Sequence, residues 1–132
     1  MAAQKTRNTR KTDGDPEVAA ANEVRLVGRL SQAPEERVLP SGDALWTFRV
    51  VVGRTEAAAR ARQSVDALEC VAWSARARRS VSSWSVDDVV EVTGALRRRF
   101  FRAGGSVASR VEVEMASGRV IRRAATRLEG SG

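Results

Sequence analysis

The run Arg97-Arg98-Arg99-Phe100-Phe101 puts three guanidiniums directly before two aromatic rings. Guanidinium groups neutralise phosphates, and aromatic rings stack on unpaired bases. The two together on one strand are what a single-stranded nucleic-acid groove requires. The valines at 89, 90 and 92 before the run read as a strand, so the run lies at that strand's end. Side chains of a strand point alternately to opposite faces. Arg97, Arg99 and Phe101 therefore share one face, and Arg98 and Phe100 share the other. The first set is the candidate binding face. Phe100 reads as core or as a subunit contact. A solvated strand edge would carry the same arginines, so the rest of the chain has to decide.

The other chemistry-bearing residues point away from catalysis. The chain has no histidine and one cysteine, which excludes the usual zinc sites. It has no G-x-x-x-x-G-K-[ST] loop for a nucleoside triphosphate. Asp87-Asp88 reads as a turn at the end of a helix, and Asp tolerates the left-handed backbone better than most residues. No clustered carboxylates suggest a nuclease. No cofactor, no metal and no enzymatic activity are expected. Cys70 reads as a small buried residue, and a lone cysteine makes the cytoplasm the default location.

Composition fits a polyanion partner. The 132 residues carry 23 Lys+Arg against 16 Asp+Glu, a net charge of +7. From Ala95 to Arg123 there are eight arginines against only Glu112 and Glu114. A basic patch of this kind is the electrostatic footprint of a nucleic acid. Hydrophobic residues make up 42%, enough for one modest domain. No apolar run approaches the roughly 18 residues of a membrane span, and no secretory signal is visible.

The elements that must position these residues follow from turn signals and alternation. Residues 1–21 read as a disordered tail, 22–123 as one domain and 124–132 as a second tail. Val24 to Gly28 makes a first strand, with a bulge or bend at Gly28. Glu36 to Leu39 starts a second, interrupted by the turn Pro40-Ser41-Gly42-Asp43. Ala44 to Val52 then alternates, with Trp46, Phe48 and Val50 on one face and Leu45, Thr47 and Arg49 on the other. Trp46 reads as core or barrel end. Gly53 to Asp66 reads as a long mobile loop. Ala67 to Trp73 is a third strand, and Ser74 to Ser83 a helix packing Ala77, Val81 and Trp84 inward. Val89 to Phe101 is a fourth strand, Ala103 to Ser106 a hairpin turn and Val107 to Met115 a fifth strand. Ser117-Gly118 turns again, and Val120-Ile121 reads as a short last strand. Five short antiparallel strands with one helix between the third and fourth is the order of the OB-fold barrel, a mainly β class whose second and third strands and flanking loops bind oligonucleotides.

With that order in place, the sequence resembles the bacterial single-stranded DNA-binding protein family, as a divergent, tail-less paralogue of actinobacterial type. Asn22-Glu23-Val24-Arg25-Leu26-Val27-Gly28-Arg29-Leu30 resembles the family's N-x-V-x-L-x-G-x-L opening strand. Pro34-Glu35-Glu36-Arg37 resembles its P-E-x-R turn. Pro40-Ser41-Gly42 followed by Phe48-Arg49-Val50 resembles its next strand. The resemblance implies largely sequence-independent binding of single-stranded DNA in replication, recombination or repair, by a cytoplasmic, nucleoid-associated homotetramer built from dimers paired along the first strand. It implies a DNA contact for Arg37, base stacking for Trp73 and Phe101, and basic neighbours in Arg97 and Arg99. Arg49 and Arg54 complete the candidate set. Trp73 also reads as a barrel plug, because it shares a face with Val71.

The chain departs from the family in several places. Two positions where many members stack bases with Trp stand here as about Glu56 and Ala67. Two basic positions stand as Glu23 and Glu69. An acidic C-terminal tip, through which relatives recruit replication enzymes, is absent, so no such recruitment is expected. The alternatives are an OB-fold protein-interaction module with weak or no DNA binding, and single-stranded RNA binding.

Overall fold

In a computed structural model, residues 17–54 and 64–125 are described. Six strands and one helix follow in chain order: β1 (Val24–Leu30), β2 (Glu35–Val38), β3 (Ala44–Gly53), β4 (Val65–Ala72), α1 (Ala75–Val81), β5 (Val89–Ala103) and β6 (Ser106–Arg122). The sheet order is β1-β5-β6-β4-β3-β2, and β1 also pairs with β3. That extra pairing closes β1, β5, β6, β4 and β3 into a five-stranded barrel. The helix lies between the third and fourth barrel strands. The fold is the OB barrel expected from the element order.

Closure is made at a glycine. β1 pairs with β5 from Val24 to Arg29, then with β3 at Arg29↔Val51 and Leu30↔Val50. At Gly28 the two neighbouring backbones come so close that a Cβ would collide with the Val51 carbonyl. The bend expected at Gly28 is thus the point where β1 changes partner.

Several elements differ from the sequence reading. The strands are not all antiparallel: β4 and β6 pair in parallel, at Cys70↔Val113 and Val71↔Glu114. Neither are they all short, since β5 has 15 residues and β6 has 17. Ser117-Gly118 is not a turn, and Val120-Ile121 is not a separate strand. β6 runs through both, and a register shift between Thr93 and Gly94 bends it around the barrel. A bulge supplies the curvature that the sequence suggested as a break. β3 and β4 pair out to Gly53↔Val65, so both ends of the supposed 53–66 loop are strand. Whatever that reading assigned to residues 55–63 lies outside the described residues, as does the tail over residues 1–16. α1 is one turn shorter than expected, with Ser74 as N-cap accepting from the Ala77 amide at 3.1 Å.

Alternation builds the core. Phe48 and Val50 of β3, Cys70 and Ala72 of β4, Val90 and Val92 of β5, and Val113 and Met115 of β6 all point inward. Ala77, Val81 and Trp84 close one end of the barrel, as their spacing predicted. The Trp84 and Phe48 rings meet edge to face, 5.4 Å between centroids. Trp46 is only half-buried at the rim of this core. Phe100 is not core: it is 69% exposed.

The turn after the helix is fastened by a buried carboxylate. Asp87 takes the left-handed conformation (φ 73°), as its residue type allows. Asp88 is 1% exposed and accepts from the amides of Ser85 (2.9 Å) and Ala124 (2.8 Å) and from Arg123 (3.2 Å). It therefore ties the end of β6 to the start of β5.

Candidate nucleic-acid interface

The outward face of β3, β4, β5 and β6 is set by the same alternation that builds the core. Thr47 faces Val71, and Arg49 faces Glu69. Val71 lies beside Glu114 through the parallel pairing. Arg97 faces Glu112 and Arg99 faces Arg110 across the β5–β6 ribbon. The ribbon's register follows from its two-residue turn, in which Gly104 (φ 59°) and Gly105 (φ 87°) both adopt the left-handed geometry of a tight hairpin.

Trp73 stands at the exit of β4, one residue before the helix cap. Arg78 donates from Nε to its carbonyl at 3.0 Å and holds the strand end in place. The Trp73 ring is half-buried, and the Arg99 guanidinium lies 5.1 Å from its centroid. Phe101 is 43% exposed, and the Arg110 guanidinium lies 5.5 Å from its centroid. A groove of about 290 Å³ lies beside Phe101, with Arg37, Thr47, Val71, Arg99, Phe100, Arg110 and Glu112 among its lining residues; the Trp73 ring is outside that lining and adjoins it through Arg99. The plug reading of Trp73 does not hold, because its face is the outer one.

Most arginines of this face are engaged by carboxylates. Arg49 pairs with Glu69 at 2.7 Å, and Arg97 with Glu114 at 2.8 Å. Arg99 and Arg110 both pair with Glu112, at 3.2 and 3.7 Å. Arg37 is exposed at the groove wall and has no ion-pair partner among the described residues. The two acidic replacements noted in the sequence also take positions here. Glu69 neutralises Arg49, whereas Glu23 lines a separate hollow.

The candidate residues do not all converge. Arg37, Arg99 and Phe101 line the groove, and Trp73 adjoins it through Arg99. Arg97 lies on the same face but borders a larger hollow of about 690 Å³ along β1, lined also by Glu23, Arg25, Gly94 and Met115. That hollow contains no aromatic ring, so the groove is the better candidate for stacking chemistry. Arg49 lies on the face but beyond the groove. Arg54 has the opposite strand parity. Its Nη2 donates to Asp66 Oδ1 at 2.7 Å, and its Nε reaches both carboxylate oxygens at 3.2 Å. The hydrogen bond from Arg54 holds the Asp66 carboxyl below its ordinary pKa. Ala67, one of the two positions the resemblance marked as a lost stacking site, lies on the same face as Trp73; Glu56, the other, lies outside the described residues.

Sequence reading missed Arg110 and Glu112. The available signal was the hairpin itself: a two-residue turn at Gly104-Gly105 places residue 110 opposite Arg99 and residue 112 opposite Arg97. Below this face, Cys70 is buried as expected. Burial, and then the charges of Glu69 and Glu112, push its thiol up to about 12.

Comparison with known proteins agrees with this fold. The family model described as the single-strand binding protein family matches residues 21–121. The single-stranded DNA-binding protein A of Bacillus subtilis (strain 168) is 35% identical over 78 residues, 59% of this chain and 45% of that protein. The single-stranded DNA-binding protein 1 of Staphylococcus aureus (strain COL) is 36% identical over 78 residues, again 59% of this chain and 47% of that protein. The chain thus aligns with about half the length of these relatives. Among solved structures, a Plasmodium falciparum SSB complex with ssDNA superposes with a TM-score of 0.64 at 19% identity. It covers 82% of this chain and 99% of that one, which establishes the shared fold. With the barrel, the basic outer face and a matched segment that spans the whole domain, the chain belongs to the single-strand binding protein family.

Proposed function

We propose that this protein binds single-stranded DNA without strong sequence preference and catalyses no reaction, serving replication, recombination or repair. The observation that carries the reading is the outer face on which two aromatic rings, Trp73 and Phe101, each lie beside a guanidinium, along a groove lined by Arg99, Phe101 and Arg110. Rings accept any base, and guanidiniums accept any phosphate, so such a groove favours single strands over a particular sequence. Family membership and the names of the relatives support the same partner. Arg37, Arg97 and Arg99 take the phosphates, and Trp73 and Phe101 the bases; Arg49 and Arg54 contribute less, one lying outside the groove and the other turned to Asp66.

The protein acts as a homo-oligomer, a tetramer built from two dimers, each paired through β1. Supporting this, Val24 to Gly28 have no sheet partner on their outer side among the described residues. Apolar side chains of the β1–β5–β6 region are also open to contact: Val27, Leu96, Phe100 and Val111 are 37%, 47%, 69% and 46% exposed. Among the described residues no helix is long and apolar enough to cross a membrane. A cytoplasmic, nucleoid-associated location fits the partner.

A second reading, a protein-interaction module with weak DNA binding, is favoured by the ion pairs that already occupy Arg49, Arg97, Arg99 and Arg110. One titration separates the two. Oligo-dT is titrated into the full chain with tryptophan fluorescence as readout, over a series of NaCl concentrations. Binding that weakens steeply with salt is expected, because released counterions drive phosphate contacts. No binding at low salt would refute the DNA reading and leave the interaction module.

A further inference from the structure

We propose that Glu112 is the positioning residue of this interface: a single buried carboxylate that holds Arg99 against Trp73 and Arg110 against Phe101, so that a single strand of DNA meets two preassembled guanidinium–ring platforms. The inference deepens the reading above and rests on it for the identity of the ligand.

A carboxylate is out of place on a phosphate-binding face, where it repels the ligand. Glu112 differs from the other two on this face in burial. Its side chain is 8% exposed, against 45% for Glu69 and 38% for Glu114. Its two oxygens are divided between two arginines: Oε2 faces Arg99 Nε at 3.2 Å and Oε1 faces Arg110 Nε at 3.7 Å. Both of those guanidiniums, and no other pair among the described residues, lie over an aromatic ring. One carboxylate therefore joins Trp73, Arg99, Arg110 and Phe101 into a single assembly.

The chemistry favours a fixed support over a displaceable lid. A buried carboxylate stripped of both partners is strongly unfavourable, so phosphates do not pull both arginines away from it. A guanidinium has five N–H donors. An ion pair through Nε leaves the terminal nitrogens of each arginine free for a phosphate. Arginine loses much rotamer freedom when it is ordered. Glu112 shifts that loss from the binding step to the folding step, which is how preorganisation raises affinity.

The test turns on the sign of a charge effect. Glu112→Gln keeps the shape and removes one negative charge from a face that binds polyanions. Were Glu112 only a repulsive charge, affinity for dT would rise. A positioning residue predicts a fall, about tenfold at fixed salt, the size of one lost base stack. Glu114→Gln, which frees only Arg97, is expected to raise affinity. A second readout needs no DNA. In the free wild-type protein, NMR side-chain signals of Arg99 and Arg110 should show ring-current shifts, and Glu112→Gln should abolish both together. The double variant Arg99→Lys/Arg110→Lys keeps every charge and leaves Glu112 in place. It should lose affinity to a similar extent, and it carries the test if Glu112→Gln fails to fold. Tighter or unchanged binding by a folded Glu112→Gln, survival of either ring-current shift in that variant, or wild-type binding by the lysine double variant would each overturn the proposal. A wild-type chain that ignores dT at low salt would instead sink the DNA reading, while the NMR shifts would still report on the Glu112 assembly.

Discussion

Arg97, Arg98 and Arg99 look equivalent in the sequence, yet they have three different surroundings. Arg97 is held by Glu114, Arg98 donates to the Ser109 hydroxyl at 3.2 Å on the opposite face, and Arg99 lies over Trp73. Period-two alternation was enough to separate Arg98 from the other two. The partners were not legible, because they come from β6 and β4. At this scale, Trp73→Ala and Phe101→Ala should each weaken dT binding by about 1–3 kcal/mol while thermal unfolding stays near wild type. Fluorescence anisotropy with labelled dT measures the loss, and unchanged affinity in a folded variant would refute the stacking role. Cys70 permits a second prediction. Only the thiolate reacts with alkylating agents. A thiol pushed up to about 12 and enclosed in the core should resist iodoacetamide at neutral pH until the chain is unfolded. Rapid labelling of the native protein, followed by mass spectrometry, would contradict this.

Among the elements, β1 and the turn before β5 were the easiest to read and the most instructive. The Asn22 of the opening motif acts as an additional peptide group. Its side-chain amide donates to the Leu96 carbonyl at 2.8 Å and its side-chain oxygen accepts from the Leu96 amide at 2.9 Å, extending the pairing of β1 with β5. The turn carries the Asp88 clasp. Removing that carboxylate leaves the Ser85 and Ala124 amides without their acceptor and Arg123 with only the Ser83 carbonyl. Asp88→Ala should therefore lower unfolding free energy by about 3 kcal/mol, measured by urea denaturation. Burial pushes the Asp88 carboxyl up, but the Ala124 and Ser85 amides and Arg123 outweigh it and hold it below its ordinary value. Glu91 is held low as well, first by Arg25 and then by Arg119. Groups with lowered folded-state pKa stabilise the fold above the ordinary carboxylate value of about 4, and that stabilisation disappears as pH falls through the lowered values. Thermal midpoints should thus stay level from neutral pH to about 5 and drop below about 4. Asp88→Asn should make that acid drop shallower; an unchanged profile would show that the clasp has no part in it.

For the whole molecule, the open edge of β1 and the exposed apolar side chains of the long hairpin argue for self-association. Light scattering should give a mass four times that of the 14.3 kDa chain, and a monomer at working concentration would remove the tetramer. The barrel order was legible because strands, turns and one amphipathic helix are local features. The curvature of β6 was not, because a bulge at residues 115–117 and a turn at Ser117-Gly118 look alike until the partner strand is present. The charge balance of the outer face was also hidden. Counting Ala95 to Arg123 suggests a strongly basic patch, but folding brings Glu69, Glu112 and Glu114 under the arginines and neutralises much of it.

By itself the sequence determined the barrel class, the split of the Arg97–Phe101 run into two faces, the buried Trp84 and Cys70, and the turn at Asp87-Asp88. Each of these depends on residue type and on periods of two or three to four, which are local. Only the tertiary structure decided that Arg99 lies on Trp73, that Arg110 lies on Phe101 and that Glu112 joins them. Those contacts link β4, β5 and β6, whose relative positions come from barrel closure and hairpin register rather than from any one segment.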